Sequence, residues 1–423
     1  MSAASPARIE ADYLIETAYE PMEAAEAMAG EQSSGTFVAV PGETPELKAR
    51  SAANVVRLDV LGEVPGPSLP GAKRPRGGSG IIRRAAVTLS WPMDNIGCSL
   101  PNLLATVAGN LFELQQFSGL RLQDLRLPRA FADGYPGPKF GVDGTRRLTG
   151  VQDGPLIGTI VKPSIGLSAE DTASLVTQLC EAGIDFIKDD ELQSDGAVCP
   201  FESRARAVMA AIERHADRTG KKVMFAFNLT GDLQQMRRRH DLIVSLGGTC
   251  IMASIHSVGM VGIVELARHS QLPIHAHRNG WGYLSRDPLL GFSYVAWQKL
   301  WRIAGVDHMH VNGLRNKFSE SDESVMASAR ECLRPIWADR PCVIMPVFSS
   351  GQTAAQIPDT VAGLQSADFI YAAGGGILGH PDGAKAGVES LRQAFAATRA
   401  GISLAEYARS HSELAGALKA YGR

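Results

Sequence analysis

From about residue 155 the chain settles into one repeated unit, a short β-rich apolar run followed by an amphipathic segment, eight times over. The runs are "LIGTIVKPS" (156–164), "DFIKDDE" (185–191), "KVMFAFNLT" (222–230), "TCIMASIHS" (249–257), "LPIHAHRNG" (272–280), "DHMHVNG" (307–313), "CVIMPVFSS" (342–350) and "DFIYAAGGG" (368–376). The first is followed by "SAEDTASLVTQLCEAG", which opens with a serine cap and carries Glu and Asp in its first turn. Strands that are apolar throughout, with helices between them, imply a parallel sheet covered by helices. Eight such units are what a closed (β/α)8 barrel needs. An open doubly wound sheet is the alternative, but no glycine-rich dinucleotide loop follows the first strand.

The first 140 or so residues lack this regularity. "ADYLIETAYE", "NVVRLDVLGEV" and "IIRRAAVTLSWPM" read as strands, and "PMEAAEAMAGE" and "LPNLLATVAGNLFEL" as helices. The expected organisation is an N-terminal α+β (ferredoxin-like) domain over residues 1–140 and an α/β TIM barrel over 141–423. The barrel's helical C-terminal tail is "SLAEYARSHSELAGALKAYG". A net charge of −2 gives no reason to expect nucleic acid as a partner, and the basic tract "GAKRPRGGSGIIRR" reads as an exposed loop. No run reaches the apolar length of a membrane span, and "MSAASPARIEADYL" lacks a signal-peptide pattern. Six cysteines without C-x-x-C spacing suit a reducing cytoplasm.

Barrel enzymes build their sites at the C-terminal ends of the strands. Those positions hold Lys162; Lys188, Asp190 and Glu191; Asn228; His275, His277 and Arg278; His308 and His310; Ser349, Ser350 and Gly351; and Gly374, Gly375 and Gly376. Side chains alternate along a strand, so Lys188 and Asp190 share a face while Asp189 points the other way as a bystander. Glu191, where strand gives way to loop, can turn to join them. Two carboxylates so placed suit Mg2+, but a lysine beside them is a ligand only if modified, as CO2 would do by forming a carbamate. A salt-bridged strand end is the plainer reading of "KDDE". The glycine triplet exposes N–H groups suited to phosphate, and the planar fork of Arg278 offers a second anion anchor. His275 and His308 read as packed between strands.

These motifs together resemble the large subunit of ribulose-bisphosphate carboxylase/oxygenase (RuBisCO). The likeness runs through "GTIVKPSIGLS", "DFIKDDE", "HAHR", "DHMHVNG", "SSG" and "GGGILGHPDG", and through "GEQSSGTF" and "TVAGNLFELQQFSGLRLQDLRLP" nearer the N-terminus. It implies that Lys188 is carbamylated and binds Mg2+ with Asp190 and Glu191, and that Lys162 moves protons near an enediolate. It implies that His277 sits by the substrate hydroxyls, and Ser349 is a further candidate for binding substrate or phosphate. Arg278 and His310 would form one phosphate site, and Gly351, Gly374 and Gly375 with Thr36 the other. Lys317 matches a mobile-loop lysine over the site. Glu31 and Asn110 match residues that reach the neighbouring subunit's site, which implies a homodimer with shared active sites.

The departures also carry meaning. Carboxylases show K-P-K after the first strand; here Ser164 replaces the second lysine, Ile160 replaces a threonine, and Phe37 a tryptophan. The loop "LRNKFSE" stands in place of V-G-K-L-E-G. These changes resemble the RuBisCO-like proteins, often called form IV. The expected activity is Mg2+-dependent enolisation, isomerisation or decarboxylation of a phosphorylated keto-sugar or keto-sugar acid, such as 3-oxo-isoapionate 4-phosphate. Two anion anchors tilt the choice toward a keto acid. The alternatives are methionine-salvage chemistry on a methylthio-diketopentyl phosphate or methylthioribulose phosphate, a bisphosphate carboxylase, and a non-catalytic scaffold that inherited the fold.

Overall fold

Eight parallel strands close on themselves in the larger of two compact units. The computed structural model describes residues 7–35, 40–77 and 80–422. Its strands are, in chain order, β1 (Arg8–Thr17), β2 (Asn54–Val64), β3 (Ile82–Pro92), β4 (Phe117–Arg126), β5 (Leu156–Ile160), β6 (Phe186–Lys188), β7 (Met224–Asn228), β8 (Cys250–Ser254), β9 (Ile274–His277), β10 (Leu290–Phe292), β11 (His308–His310), β12 (Met345–Phe348) and β13 (Ile370–Ala372). The barrel order is β11-β12-β13-β5-β6-β7-β8-β9, and β9 pairs in parallel with β11 to close it. The (β/α)8 reading therefore holds, and the open-sheet alternative does not.

Each barrel strand is short, and its inward side chains fill the interior. Leu156, Phe186, Met224, Ala226, Cys250, Met252, Met345, Val347, Ile370 and Ala372 form a continuous buried cluster. Because the side-chain period is two, the residue two beyond Phe186 also faces inward, one layer nearer the mouth. That residue is Lys188. The helix Ala169–Glu181, after β5, starts with a complete capping box between Ser168 and Asp171, which fixes where the first βα loop ends. The C-terminal tail is helical at Leu404–Tyr407 and Ser412–Tyr421, with Leu414 and Ala417 buried. Gln393 anchors it by donating to the Glu413 carboxylate at 2.8 Å.

The other unit holds a five-stranded mixed sheet in the order β10-β4-β1-β3-β2. β1 lies antiparallel between β3 and β4, and β10 joins β4 in parallel. Ile9, Ala11, Tyr13 and Ile15 alternate into its core, and the Tyr13 hydroxyl donates to Val107 O at 2.7 Å, on the helix Leu100–Ala108. This unit comprises Met1–Tyr135 with Gly280–Trp301; Pro136–Asn279 with Arg302–Arg423 make up the barrel unit. Gly280–Trp301 groups with the mixed sheet because Leu290–Phe292 extends it. A three-residue strand has too little pattern to read from sequence. Among the described residues, no helix is long and apolar enough to cross a membrane.

Candidate active site

At the barrel mouth, β6 ends in a buried lysine set among carboxylates. Lys188 is 1% exposed; its Nζ donates to Asp189 O at 2.7 Å and reaches Glu191 Oε2 at 3.3 Å. Asp190, also 1% exposed, accepts from Lys162 Nζ at 2.5 Å through Oδ2 and from Leu192 N at 3.0 Å through Oδ1. Lys162 in turn donates to Ser164 Oγ at 2.8 Å. His277 Nε2, from β9, lies 3.3 Å from Glu191 Oε2. Two sets thus meet here, Lys162 with Asp190 and Ser164, and Lys188 with Glu191 and His277, held side by side by the adjacency of residues 190 and 191.

Burial pushes the Lys188 ammonium below the usual lysine range, against the pull of Glu191 and Asp190. Burial works the other way on Glu191, but His277 and Lys188 outweigh it and hold its carboxyl at about 2. His277 itself is pushed down to about 4, by burial and then by Lys188, so its imidazole is neutral at pH 7. The donor set suits a hard divalent cation, with two carboxylates of low exposure beside a lysine that burial biases toward the neutral, CO2-reactive amine. The ammoniums of Lys162 and Lys188 meet those same carboxylate oxygens. The fit is chemical.

Asp189 is no bystander to the fold. It is fully buried on the outer face of the strand end, where Oδ2 accepts from Asn228 N at 2.9 Å and from Arg204 Nε at 3.3 Å. Arg204, also fully buried, further donates to Cys199 O at 3.1 Å and Ser194 O at 3.0 Å. One ion pair therefore pins both the start and the far end of the loop that carries Asp190 and Glu191.

The remaining candidates fall into separate places. Both ring nitrogens of His310 are engaged by protein groups: Nε2 lies 2.8 Å from His275 Nε2, and Nδ1 lies 2.9 Å from Ser349 Oγ. His308 Nε2 pairs with Thr145 Oγ1 at 2.7 Å. Arg278 is buried and ion-paired to Glu320, a partner that the sequence did not single out. Lys317 is exposed, its Nζ 5.3 Å from the centroid of the Phe318 ring. Gly351 sits at φ +79°, a conformation that favours glycine, and a Cβ there would lie 4.0 Å from Lys317 N. Gly374 and Gly375 open the short helix Gly374–Leu378, and a Cβ on Gly375 would meet nothing within 4 Å. In the mixed-sheet unit, Asn110 Nδ2 donates to Glu31 Oε1 at 3.2 Å. Thr36 and Phe37 lie outside the described residues.

The fold is a (β/α)8 barrel that gathers a buried lysine, two carboxylates and a second lysine at its mouth. Residues 141–421 match the family described as ribulose bisphosphate carboxylase large chain, catalytic domain, and residues 9–131 match the N-terminal domain of the same chain. The chain belongs to that family. It is 57% identical over 411 residues, 97% of this chain and 98% of the relative, to a 3-oxo-isoapionate-4-phosphate transcarboxylase/hydrolase of Xanthobacter autotrophicus. It is 43% identical, over 96% of both chains, to a 3-oxo-isoapionate-4-phosphate decarboxylase of Rhizobium rhizogenes. The crystal structure of a rubisco-like protein from Burkholderia fungorum superposes with a TM-score of 0.91 at 50% identity, covering 97% of this chain and 99% of that one. The protein is a RuBisCO-like enzyme and not a CO2-fixing RuBisCO.

Proposed function

We propose that this enzyme cleaves carbon dioxide from a phosphorylated β-keto sugar acid of the 3-oxo-isoapionate 4-phosphate type, using Mg2+ held by carbamylated Lys188, Asp190 and Glu191. The observation that carries the reading is the meeting of the Lys162–Asp190 and Lys188–Glu191 pairs at the barrel mouth, with Ser164 hydrogen-bonded to Lys162 where carboxylases place a second lysine. Relatives at 57% and 43% identity whose names share one substrate support it.

Once deprotonated, the neutral Lys188 amine would add to CO2 with loss of one further proton, placing an oxygen-bearing carbamate anion beside two carboxylates. Asp190, Glu191 and the Lys188 carbamate would hold Mg2+, which when bound would supply Lewis-acid polarisation of a substrate carbonyl. As the C–C bond to the carboxylate breaks, its electron pair moves into that carbonyl and leaves an enolate. Lys162, oriented by Asp190 and Ser164, holds the proton on Nζ and delivers it to the enolate carbon. Neutral His277 hydrogen-bonds substrate hydroxyls. Gly351, Gly374 and Gly375 receive the phosphate, while Lys317 closes over it. Glu31 and Asn110 complete the site of a second subunit in a homodimer. Its six cysteines, all free, support a reducing cytoplasm as its location.

The test uses purified protein with Mg2+ and bicarbonate. It should release CO2 from 3-oxo-isoapionate 4-phosphate, exchange the new C–H for deuterium, and leave ribulose bisphosphate uncarboxylated. Lys188→Ala should abolish both CO2 release and exchange; exchange at the wild-type rate in that variant would sink the assignment.

A further inference from the structure

The Arg278 end of the mouth already contains an anion, and it belongs to the chain. Glu320, three residues after Lys317, turns its carboxylate inward and is only 13% exposed. Its Oε2 is shared by the Arg278 guanidinium and by Asn312 Nδ2, the latter at 2.7 Å, and its Oε1 accepts from Ser324 Oγ at 2.8 Å. Three donors from β9's end, the loop after β11 and the helix Asp322–Leu333 therefore converge on one carboxylate. Such convergence shows that the place is built for a negative group. It also shows that the group is covalently supplied.

From this we infer that Glu320 is a specificity-determining residue. Its carboxylate neutralises Arg278, so the site accepts substrates with one phosphate and rejects those with a second phosphate at this end. The inference rests on the proposed reading of the mouth as a phosphorylated-substrate site and deepens it. A second phosphate arriving at Arg278 must either sit against the Glu320 carboxylate or expel it from three hydrogen bonds, and both cost affinity for the bisphosphate alone. A substrate whose far end is neutral meets Arg278 already paired and leaves no buried charge behind.

The test is binding, which needs no turnover. Calorimetric titration of the full chain loaded with Mg2+ and bicarbonate would compare ribulose 5-phosphate with ribulose 1,5-bisphosphate as one- and two-phosphate probes. Glu320→Ala and Glu320→Gln should each bind the bisphosphate at least about tenfold more tightly than wild type, while monophosphate affinity moves less than about threefold. Adding Arg278→Met to Glu320→Ala should remove the gain. Glu320→Gln keeps partners for Asn312 and Ser324, so it carries the test if the alanine variant fails to fold. An unchanged bisphosphate affinity in the folded variants overturns the inference, as does a gain shared equally by both probes. If the gain appears but 3-oxo-isoapionate 4-phosphate is not turned over, the substrate reading fails and this inference stands.

Discussion

Arg204 touches no substrate, yet its loss should damage the site more than the loss of many residues that do. Replacing it with Met keeps much of the volume and removes the charge. Asp189, fully buried, would then hold an uncompensated carboxylate with only the Asn228 N–H as a strong donor. Removing one partner of a buried ion pair costs about 3–5 kcal/mol. The carbonyls of Cys199 and Ser194 would lose their guanidinium donors as well, which adds roughly 1 kcal/mol each where water cannot replace them. Because the pair clamps the 189–199 loop, the loss should appear first in the segments around Phe186–Lys188 and Met224–Asn228. Hydrogen exchange read by mass spectrometry would resolve it there: about 3 kcal/mol of local opening free energy is an acceleration on the order of a hundredfold. The double variant Asp189→Asn with Arg204→Met removes both charges and should recover roughly half of the loss or more, since much of the single-variant cost is the stranded carboxylate. Protection within about 1 kcal/mol of wild type in Arg204→Met, or a double variant as damaged as the sum of the singles, would refute the reasoning.

Asp307 is buried, accepts from the N–H groups of Phe140, Gly141 and Ile274, and has its carboxyl pushed up to about 6, chiefly by burial. A raised carboxyl makes the folded state the tighter proton binder between about pH 4 and 6, so its ionisation costs stability as pH rises through that window, by up to roughly 3 kcal/mol. Relative to wild type, Asp307→Asn should gain stability with rising pH across that range; a difference that stays flat in denaturant midpoint from pH 4 to 7 would count against it. Gly376→Ala would place its Cβ 2.5 Å from Gln352 O and should destabilise the barrel, whereas Gly375→Ala meets nothing within 4 Å and should fold normally but bind phosphate more weakly. Thermal melts with a phosphate titration distinguish the two, and equal melting losses would refute the contrast. Mg2+ with bicarbonate should raise the melting temperature of wild type, with about 2.7 kcal/mol of stabilisation at a hundredfold excess over Kd, and leave Lys188→Ala unmoved; an equal rise in both would exclude Lys188 from the metal site.

Much of this protein was legible in one dimension because its governing patterns are local. Eight apolar runs alternating with amphipathic segments allow few architectures besides the closed barrel, and the strand period of two puts Lys188 with Asp190 and turns Asp189 away. The motifs also marked Ser164 as the departure from carboxylases, and the fold then placed its hydroxyl on Lys162. What the sequence could not supply were pairings between distant residues. "LGF" at 290–292 carries no strand signal of its own and becomes β10 only because β4, some 170 residues earlier, offers it an edge. Arg204 reads as one cation among many on a helix until the loop folds back to bury it against Asp189. Glu320 and Arg278 are 42 residues apart, and only barrel closure brings β9's end beside the loop after β11. Periodicity and capping fix which face a residue takes; burial and charge pairing across the closed barrel decide whom it meets there.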